Sequence, residues 1–242
     1  MQIGPGSRVV VTGASRGIGA AVADAFAARG CTVARVSRSG EIAADVADPD
    51  SIGRAVEGFG ELDVLVANAG IAHYLPFAEM PLETVEELTR VNWMGTVNTV
   101  RAALPRMLER GRGQIAIVSS GAGIRSFPGA AVYGATKAAQ RGFGEALRHE
   151  LKGTGVGLTM VYPAQIRSSL HEHEKERLPA WYRADRTGPP EPLAEAIVAG
   201  VERERREVFH PPNVRLLRVV HGIDPRLADV LLRRIMHRSA AP

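Results

Sequence analysis

Short apolar runs separated by helix-periodic stretches constrain this chain most. Arg8–Thr12, Thr32–Ser37, Val64–Ala67, Gln114–Ser119 and Val156–Val161 read as strands. Ile42–Val46 reads as a further short one. Between them, Ile18–Arg29, Ser51–Gly58, Leu82–Arg110 and Ala130–Lys152 carry helical periodicity, with Gly30 stopping the first and Pro105 near the end of the third. Strands alternating with helices predict a parallel sheet wrapped by helices. Aliphatic runs apolar on both faces are what such a sheet needs. The expectation is an α/β chain: one doubly wound parallel sheet with helices on both faces. At 242 residues it suits a single domain. It has ordinary apolar and charged content, at 45% and 23%.

Beyond Pro163 the pattern changes. Residues 166–192 are polar, charged and proline-bearing, and read as a substrate lid. Leu193–Arg206 is helical again. Residues 208–242 hold two amphipathic, Arg-rich segments, PNVRLLRVVHG and DPRLADVLLRRIMHR. Six Arg against two Asp in that tail equal the whole net charge of +4. Such a tail suits a solvated helix face, or peripheral contact with an anionic membrane. No nucleic-acid partner is expected. His171 and His173 lack the i, i+4 spacing of a helical zinc pair, so no metal is expected. The single Cys31 excludes an internal disulfide and fits a reducing compartment, here the cytoplasm. No signal segment opens the chain, and no run approaches the ~20 apolar residues of a membrane span.

Tyr133 and Lys137 are four residues apart, hence on one helix face. The ammonium can favour the phenolate and draw the phenol toward neutral pH. Ser120, ending the run QIAIVSS, can hydrogen-bond a reacting oxygen. Together they suit proton exchange with a carbonyl or alcohol. Tyr-x-x-x-Lys is common on helices by itself, but this chain has only three Lys, at 137, 152 and 175. The turn after the first strand holds Gly13, Ser15, Arg16, Gly17, Ile18 and Gly19. Its glycines let backbone approach a pyrophosphate, with helix N–H groups facing it. At the end of the second strand stand Ser37 and Arg38, with no acid to hold a ribose 2′-hydroxyl and repel a 2′-phosphate. That favours NADP(H) over NAD(H).

TGASRGIG, Asn68-Ala69-Gly70, Asn92, Ser120 and Tyr133-x-x-x-Lys137 together resemble the short-chain dehydrogenase/reductase family over residues 7–168. The resemblance implies a Rossmann-type fold that binds a nicotinamide dinucleotide, with a catalytic set of Asn92, Ser120, Tyr133 and Lys137. Tyr133 would be general acid/base, Lys137 would lower its pKa and hold the nicotinamide ribose, Ser120 would orient the substrate oxygen, and Asn92 would support a water-linked proton path. It also implies that Asp45 and Val46 contact adenine, that Asn68, Ala69 and Gly70 pack beside the cofactor, and that Pro163, Ile166 and Ser168 meet the nicotinamide. A homo-oligomer, dimer or tetramer, is implied as well. Three departures stand out. Residues 37–45 leave no room for the family's usual helix. Ala164 replaces a Gly after Pro163. The family's usual C-terminal strand and ending, often a subunit interface, is not recognisable.

The expected activity is NADP(H)-dependent interconversion of a carbonyl and a secondary alcohol. A non-catalytic NADP(H)-binding regulatory protein is the alternative, since fold does not fix function. The pocket is expected to be lined by Ile71, Tyr74, Phe77, Ile124, Phe127, Leu170 and Trp181, which suits an apolar or lipid-like substrate.

Overall fold

The computed structural model describes residues 1–168, 170, 178, 187–230 and 233. Its elements are β1 (Arg8–Thr12), α1 (Gly17–Ala27), β2 (Thr32–Ser37), β3 (Ile42–Ala43), α2 (Pro49–Phe59), β4 (Val64–Ala67) and α3 (Leu82–Leu88). Then come α4 (Gly95–Glu109), β5 (Gly113–Val118), α5 (Ala131–Glu150), β6 (Val156–Pro163), α6 (Pro190–Glu202), β7 (Glu207–His210) and α7 (Val214–Ile223). All seven strands form one parallel sheet in the order β3-β2-β1-β4-β5-β6-β7. The order reverses between β1 and β4. In such sheets the crevice at the carboxyl ends of these two strands is where ligands bind.

Strand alternation divides the core. Val10, Leu65, Ile115 and Ile117 face one cluster with Val100 and Met107 of α4. Val9, Val11, Val66 and Val118 face the other with Phe26 of α1 and Ile197 of α6. This two-sided burial explains why the strands read as unbroken apolar runs. Helix α2 begins as its sequence demands. Asp48 caps it by accepting the Asp50 N–H at 2.9 Å, and Pro49 follows at the first helical position.

The structure corrects four boundaries. The stretch Leu82–Arg110 is not one helix: a π-helical turn at Thr89–Met94 separates α3 from α4. The expected third strand pairs only over Ile42–Ala43, because the short 37–45 connection lets the chain leave the edge early. Helix α6 ends at Glu202 rather than Arg206, with Glu204 in the left-handed region at φ 51°. A terminal strand does exist: β7 pairs in parallel with β6 through Val208↔Val161 and its neighbours. Its sequence, EVFH, buries only Val208 fully, so it lacks the apolar run that marks the inner strands.

The basic tail starts as α7, clamped against the body. Arg218 pairs with Glu145 of α5 at 2.7 Å and with Glu207 of β7 at 3.4 Å. Arg125 pairs with Asp229. The opposite side of α7 leaves Leu216, Val219 and Ile223 exposed. Among the described residues no helix is long and apolar enough to cross a membrane.

Candidate active site

The Gly-rich turn closes onto the end of β4. Gly13 and Gly17 adopt φ of 66° and 58°, a left-handed backbone that glycine adopts without strain. A Cβ on Gly19 would lie 2.2 Å from the Gly13 carbonyl oxygen and 2.5 Å from Asn68 Nδ2. The Thr12 hydroxyl stitches the two strand ends together. It accepts from the backbone N–H of Asn68 at 3.1 Å and of Ala69 at 3.2 Å. Asn68 Nδ2 donates to the Thr12 carbonyl at 3.0 Å.

A cavity of about 1270 Å³ opens at this crevice. It is lined by Gly13, Ser15, Arg16, Gly17, Ile18 and Gly19, by Ser37 and Arg38, by Asp45 and Val46, and by Asn68, Ala69 and Gly70. Ser120, Tyr133, Lys137, Pro163, Ile166 and Ser168 complete the wall. Every residue expected in the catalytic and cofactor-binding sets therefore reaches one cavity, except Asn92, which is fully buried behind it.

These residues fit a nicotinamide dinucleotide. The turn and the start of α1 offer N–H groups where a pyrophosphate would lie. At the far end, the Ser37 hydroxyl is buried and has no hydrogen-bond partner among the described residues. Arg16 and Arg38 line the same cavity and make no ion pair among the described residues. Arg35, by contrast, is held by Asp24 at 2.6 Å. Asp45 accepts the Ala47 N–H at 2.9 Å, which fixes the turn that carries Val46.

The reactive end rests on α5 and β5. Ser120 caps the short turn Gly121–Gly123, its oxygen accepting from the Ala122 N–H at 3.1 Å. The Ser120 hydroxyl stands close enough to the Tyr133 phenol to draw its pKa down. Tyr74 meets the Tyr133 ring edge-on, with centroids 5.8 Å apart. Lys137 Nζ donates to the Val118 carbonyl at 3.1 Å and lies 5.9 Å from the Tyr133 ring centroid. The expected lowering of the phenol's pKa is not what this arrangement produces. Burial pushes Tyr133 up, and only the Ser120 hydroxyl opposes it. Burial also lowers Lys137 to about 8.

Behind them lies a buried polar network. Asn92 Oδ1 accepts from the Ile71 N–H at 2.8 Å, and Asn92 Nδ2 donates to the Ile71 carbonyl at 3.0 Å and to Thr136 Oγ1 at 3.1 Å. The Asn92 carbonyl accepts from Thr96 Oγ1 at 2.8 Å and from Gln140 Nε2 at 2.9 Å. π-helical turns often mark functional sites, and Asn92 sits in this one.

On the substrate side, Ile71, Tyr74, Phe127 and Leu170 line the cavity as expected. Phe77 does not; it is 67% exposed. Ile124 does not either, because it packs into the core below. Trp181, most of the 166–192 lid, His171, His173 and most of residues 231–242 lie outside the described residues. Leu216 and Leu217, which the tail's sequence offered for a bilayer or a substrate mouth, line the cavity, and so do His210, Asn213 and Val214, which sequence reasoning missed. They sit at the end of β7 and the start of α7, so the unrecognised strand hid them. Thr12 was missed too, although it directly precedes the Gly-rich turn. Among the described residues no group of His, Cys, Asp or Glu is placed to hold a metal ion.

The sequence matches the family described as short chain dehydrogenase over residues 7–51 and 42–179. The chain belongs to the short-chain dehydrogenase family. It is therefore an oxidoreductase of the CH–OH/C=O class that uses a nicotinamide dinucleotide. A relative named 11-beta-hydroxysteroid dehydrogenase 1A, from Arabidopsis thaliana, is 36% identical over 93% of this chain and 74% of its own length. A short-chain dehydrogenase from Burkholderia cenocepacia, solved with NADP, superposes with a TM-score of 0.83 at 26% identity, covering 97% of this chain and 99% of that one. A Burkholderia phymatum member solved with NAD gives 0.82 at 22% identity over 94% and 96%, a likeness of fold.

Proposed function

We propose that this short-chain dehydrogenase uses NADP(H) to interconvert an apolar carbonyl compound and its secondary alcohol. The observation that carries the cofactor choice is the buried, unpartnered Ser37 hydroxyl beside Arg38 and Arg16, with no acid at the end of β2. A 2′-phosphate would satisfy all three groups, whereas a bare ribose hydroxyl would leave two guanidinium groups without a charge partner. The relatives' NADP and NAD complexes leave both cofactors open to the family, so the choice rests on these residues.

When bound, the nicotinamide supplies or accepts the hydride. The chain's own residues handle the oxygen and its proton. Ser120 and Tyr133, both on the cavity wall, form a donor pair for one substrate oxygen. Tyr133 starts protonated, because burial raises its pKa. It is thus an acid ready to protonate the developing alkoxide, and in the oxidation direction its phenolate accepts that proton. Lys137, held by Val118, keeps a positive charge behind the phenol and can reach the nicotinamide ribose. Ile71, Tyr74, Phe127 and Leu170 form an apolar wall that keeps water from the reacting carbon.

Steady-state reduction of a panel of ketones and aldehydes with NADPH and NADH tests this reading. We expect NADPH to be preferred and Tyr133→Phe to lose nearly all turnover while binding NADPH with unchanged affinity. A clear NADH preference refutes the cofactor choice. Full turnover in Tyr133→Phe refutes the catalytic assignment, whereas NADPH binding with no turnover of any carbonyl by the wild type favours the regulatory alternative.

The exposed Leu216, Val219 and Ile223 adjoin Arg215 and Arg226, which make no ion pair among the described residues. This face supports peripheral contact with an anionic bilayer beside a cavity mouth that Leu216 and Leu217 line. Cosedimentation with anionic vesicles at low salt should fall when Leu216 and Ile223 are both changed to Asp. Unchanged cosedimentation would leave assembly as a dimer or tetramer to explain the exposed face, which light scattering reads directly.

A further inference from the structure

Val118 of β5, Val161 of β6 and Val208 of β7 pair in one row across three strands and face the same core cluster. Side chains alternate along a strand, so the residues two further on face the same way. Those residues are Ser120, Pro163 and His210. Pro163 and His210 are paired, and Ser120 is still extended, at φ −165° and ψ 160°. All three line the cavity. Ser120 and His210 are therefore level, two strand spacings or about 10 Å apart.

His210 brings a polar group to a mostly apolar wall. Its backbone is tied down, the carbonyl accepting from the Ala164 N–H at 2.7 Å. Its imidazole is half-buried and makes no hydrogen bond among the described residues. Two neighbours on the cavity wall share this condition. Gln165 follows the end of β6, and Asn213 starts α7 without capping it; neither side chain has a partner among the described residues. All three groups are uncharged at pH 7, because burial holds the His210 imidazole below its ordinary pKa. The charged side chains on the cavity wall lie elsewhere: Arg16, Arg38 and Asp45 at the cofactor end, and Lys137 behind Tyr133. No described residue at this spot would pair with a carboxylate or a phosphate.

We propose that His210, with Gln165 and Asn213, is a specificity-determining residue that hydrogen-bonds a second, uncharged oxygen on the far end of the substrate. The substrate class is then an apolar ketone, or its alcohol, carrying a hydroxyl, carbonyl or ether oxygen about 10 Å from the reacting one. A few polar groups in an apolar pocket fix which way a ligand lies. Here they turn its reactive end to Ser120 and Tyr133. A ligand without the second oxygen would leave these groups desolvated and unpaired, which costs binding. The proposal rests on the reading of an apolar carbonyl substrate given above, and narrows it.

Three rigid ketones test it: cyclohexanone bearing, opposite its carbonyl, a phenyl, a para-hydroxyphenyl or a para-carboxyphenyl group. The para substituent stands about as far from the ketone oxygen as His210 does from Ser120. Each is titrated calorimetrically into full-length protein saturated with oxidised cofactor, which has no hydride to give, so binding is read without turnover. We expect the hydroxyphenyl ketone to bind at least about fivefold tighter than the phenyl ketone, the net worth of one hydrogen bond. His210→Leu should reduce that preference to below about twofold, while His210→Gln, which keeps a neutral donor and acceptor, should retain most of it. Asn213→Ala, at an exposed helix start, serves if His210→Leu does not fold, and should lower the preference as well. Equal wild-type affinity for the hydroxyphenyl and phenyl ketones overturns the proposal and leaves a plain apolar substrate in place. An unchanged preference in folded His210→Leu, or in Asn213→Ala where that variant stands in, overturns it too. So does tightest binding of the carboxyphenyl ketone. A wild type that binds none of the three defeats the apolar carbonyl reading itself, and this proposal with it.

Discussion

Asn92 and Ile71 are joined by two hydrogen bonds that mimic a strand pair, Oδ1 accepting at 2.8 Å and Nδ2 donating at 3.0 Å. The π-helical turn makes this possible, because it carries Asn92 to the level of the loop that follows β4. That loop forms the cavity wall at Gly70 and Ile71. The pair thus fixes the floor beneath both the cofactor and Lys137.

Replacing Asn92 with Leu should remove both bonds and leave the half-buried Ile71 N–H and carbonyl without this partner. Each such loss costs about 1–3 kcal/mol. We expect a fall in Tm of several degrees and a drop in kcat of at least about tenfold, since displacing groups by about 1 Å can cost ~100-fold. Thermal unfolding and steady-state kinetics on the same preparation check both. Wild-type kcat in a folded variant would show that the pair is only structural.

Arg38 offers a cofactor test independent of turnover chemistry. Changing it to Asp removes one charge-assisted partner, worth about 1.5–3 kcal/mol, and adds a repelling carboxylate. NADPH affinity should fall by about 10- to 100-fold, while NADH affinity should hold or improve. Fluorescence titration of each reduced cofactor reads this directly. Equal weakening for both cofactors would mean that Arg38 does not meet the 2′-phosphate.

Lys137 makes stability depend on pH with a definite sign. Its pKa is lowered by burial from 10.5 to about 8. Between those values the unfolded chain binds the extra proton, so this residue's contribution to stability rises with pH across that window. Below about 8 both states are protonated and the burial penalty is constant. The Tm of wild type minus that of Lys137→Met should therefore increase from pH 7.5 to pH 9.5. Taking the difference removes other titrating groups, including Tyr133, whose raised pKa acts against stability at still higher pH. A difference that is flat or falls over this range would contradict the buried ammonium.

The inner sheet was legible because its strands are apolar on both faces, a property of burial under helices on each side. The Gly-rich turn, Ser120, Tyr133 and Lys137 were legible because their chemistry depends on local spacing, whereas Asn68 and Asn92 were legible only through the resemblance to a family. What escaped depends on distant pairing. Strand β7 has one fully buried side chain, and only its bonding to β6 makes it a strand. His210 and Val214 reach the cavity through that strand. The π-helical turn has no breaker residue in its sequence; the polar contacts of Asn92 with Thr136 and Gln140 accompany it. Tyr133 was expected below its ordinary pKa from its spacing to Lys137. Spacing carries no information about desolvation, which sets the direction here.

Two glycines in helices should respond oppositely to the same substitution. Gly19 lies in the first turn of α1, and an added Cβ would sit 2.2 Å from the Gly13 carbonyl oxygen, a backbone atom that cannot rotate away. The turn must open, which displaces the N–H groups that face the cavity. Gly19→Ala should therefore weaken NADPH binding by more than about tenfold and lower Tm, as strained substitutions do. Gly53 lies within α2, and an added Cβ would meet nothing within 4 Å. There Ala gains about 0.5–1 kcal/mol over Gly in helix preference. Gly53→Ala should raise Tm by a few degrees and leave NADPH affinity unchanged. Cofactor titration and thermal unfolding of the two variants side by side test the closeness of the β1–α1 turn. Wild-type affinity in Gly19→Ala would show that the turn has room the structure denies it.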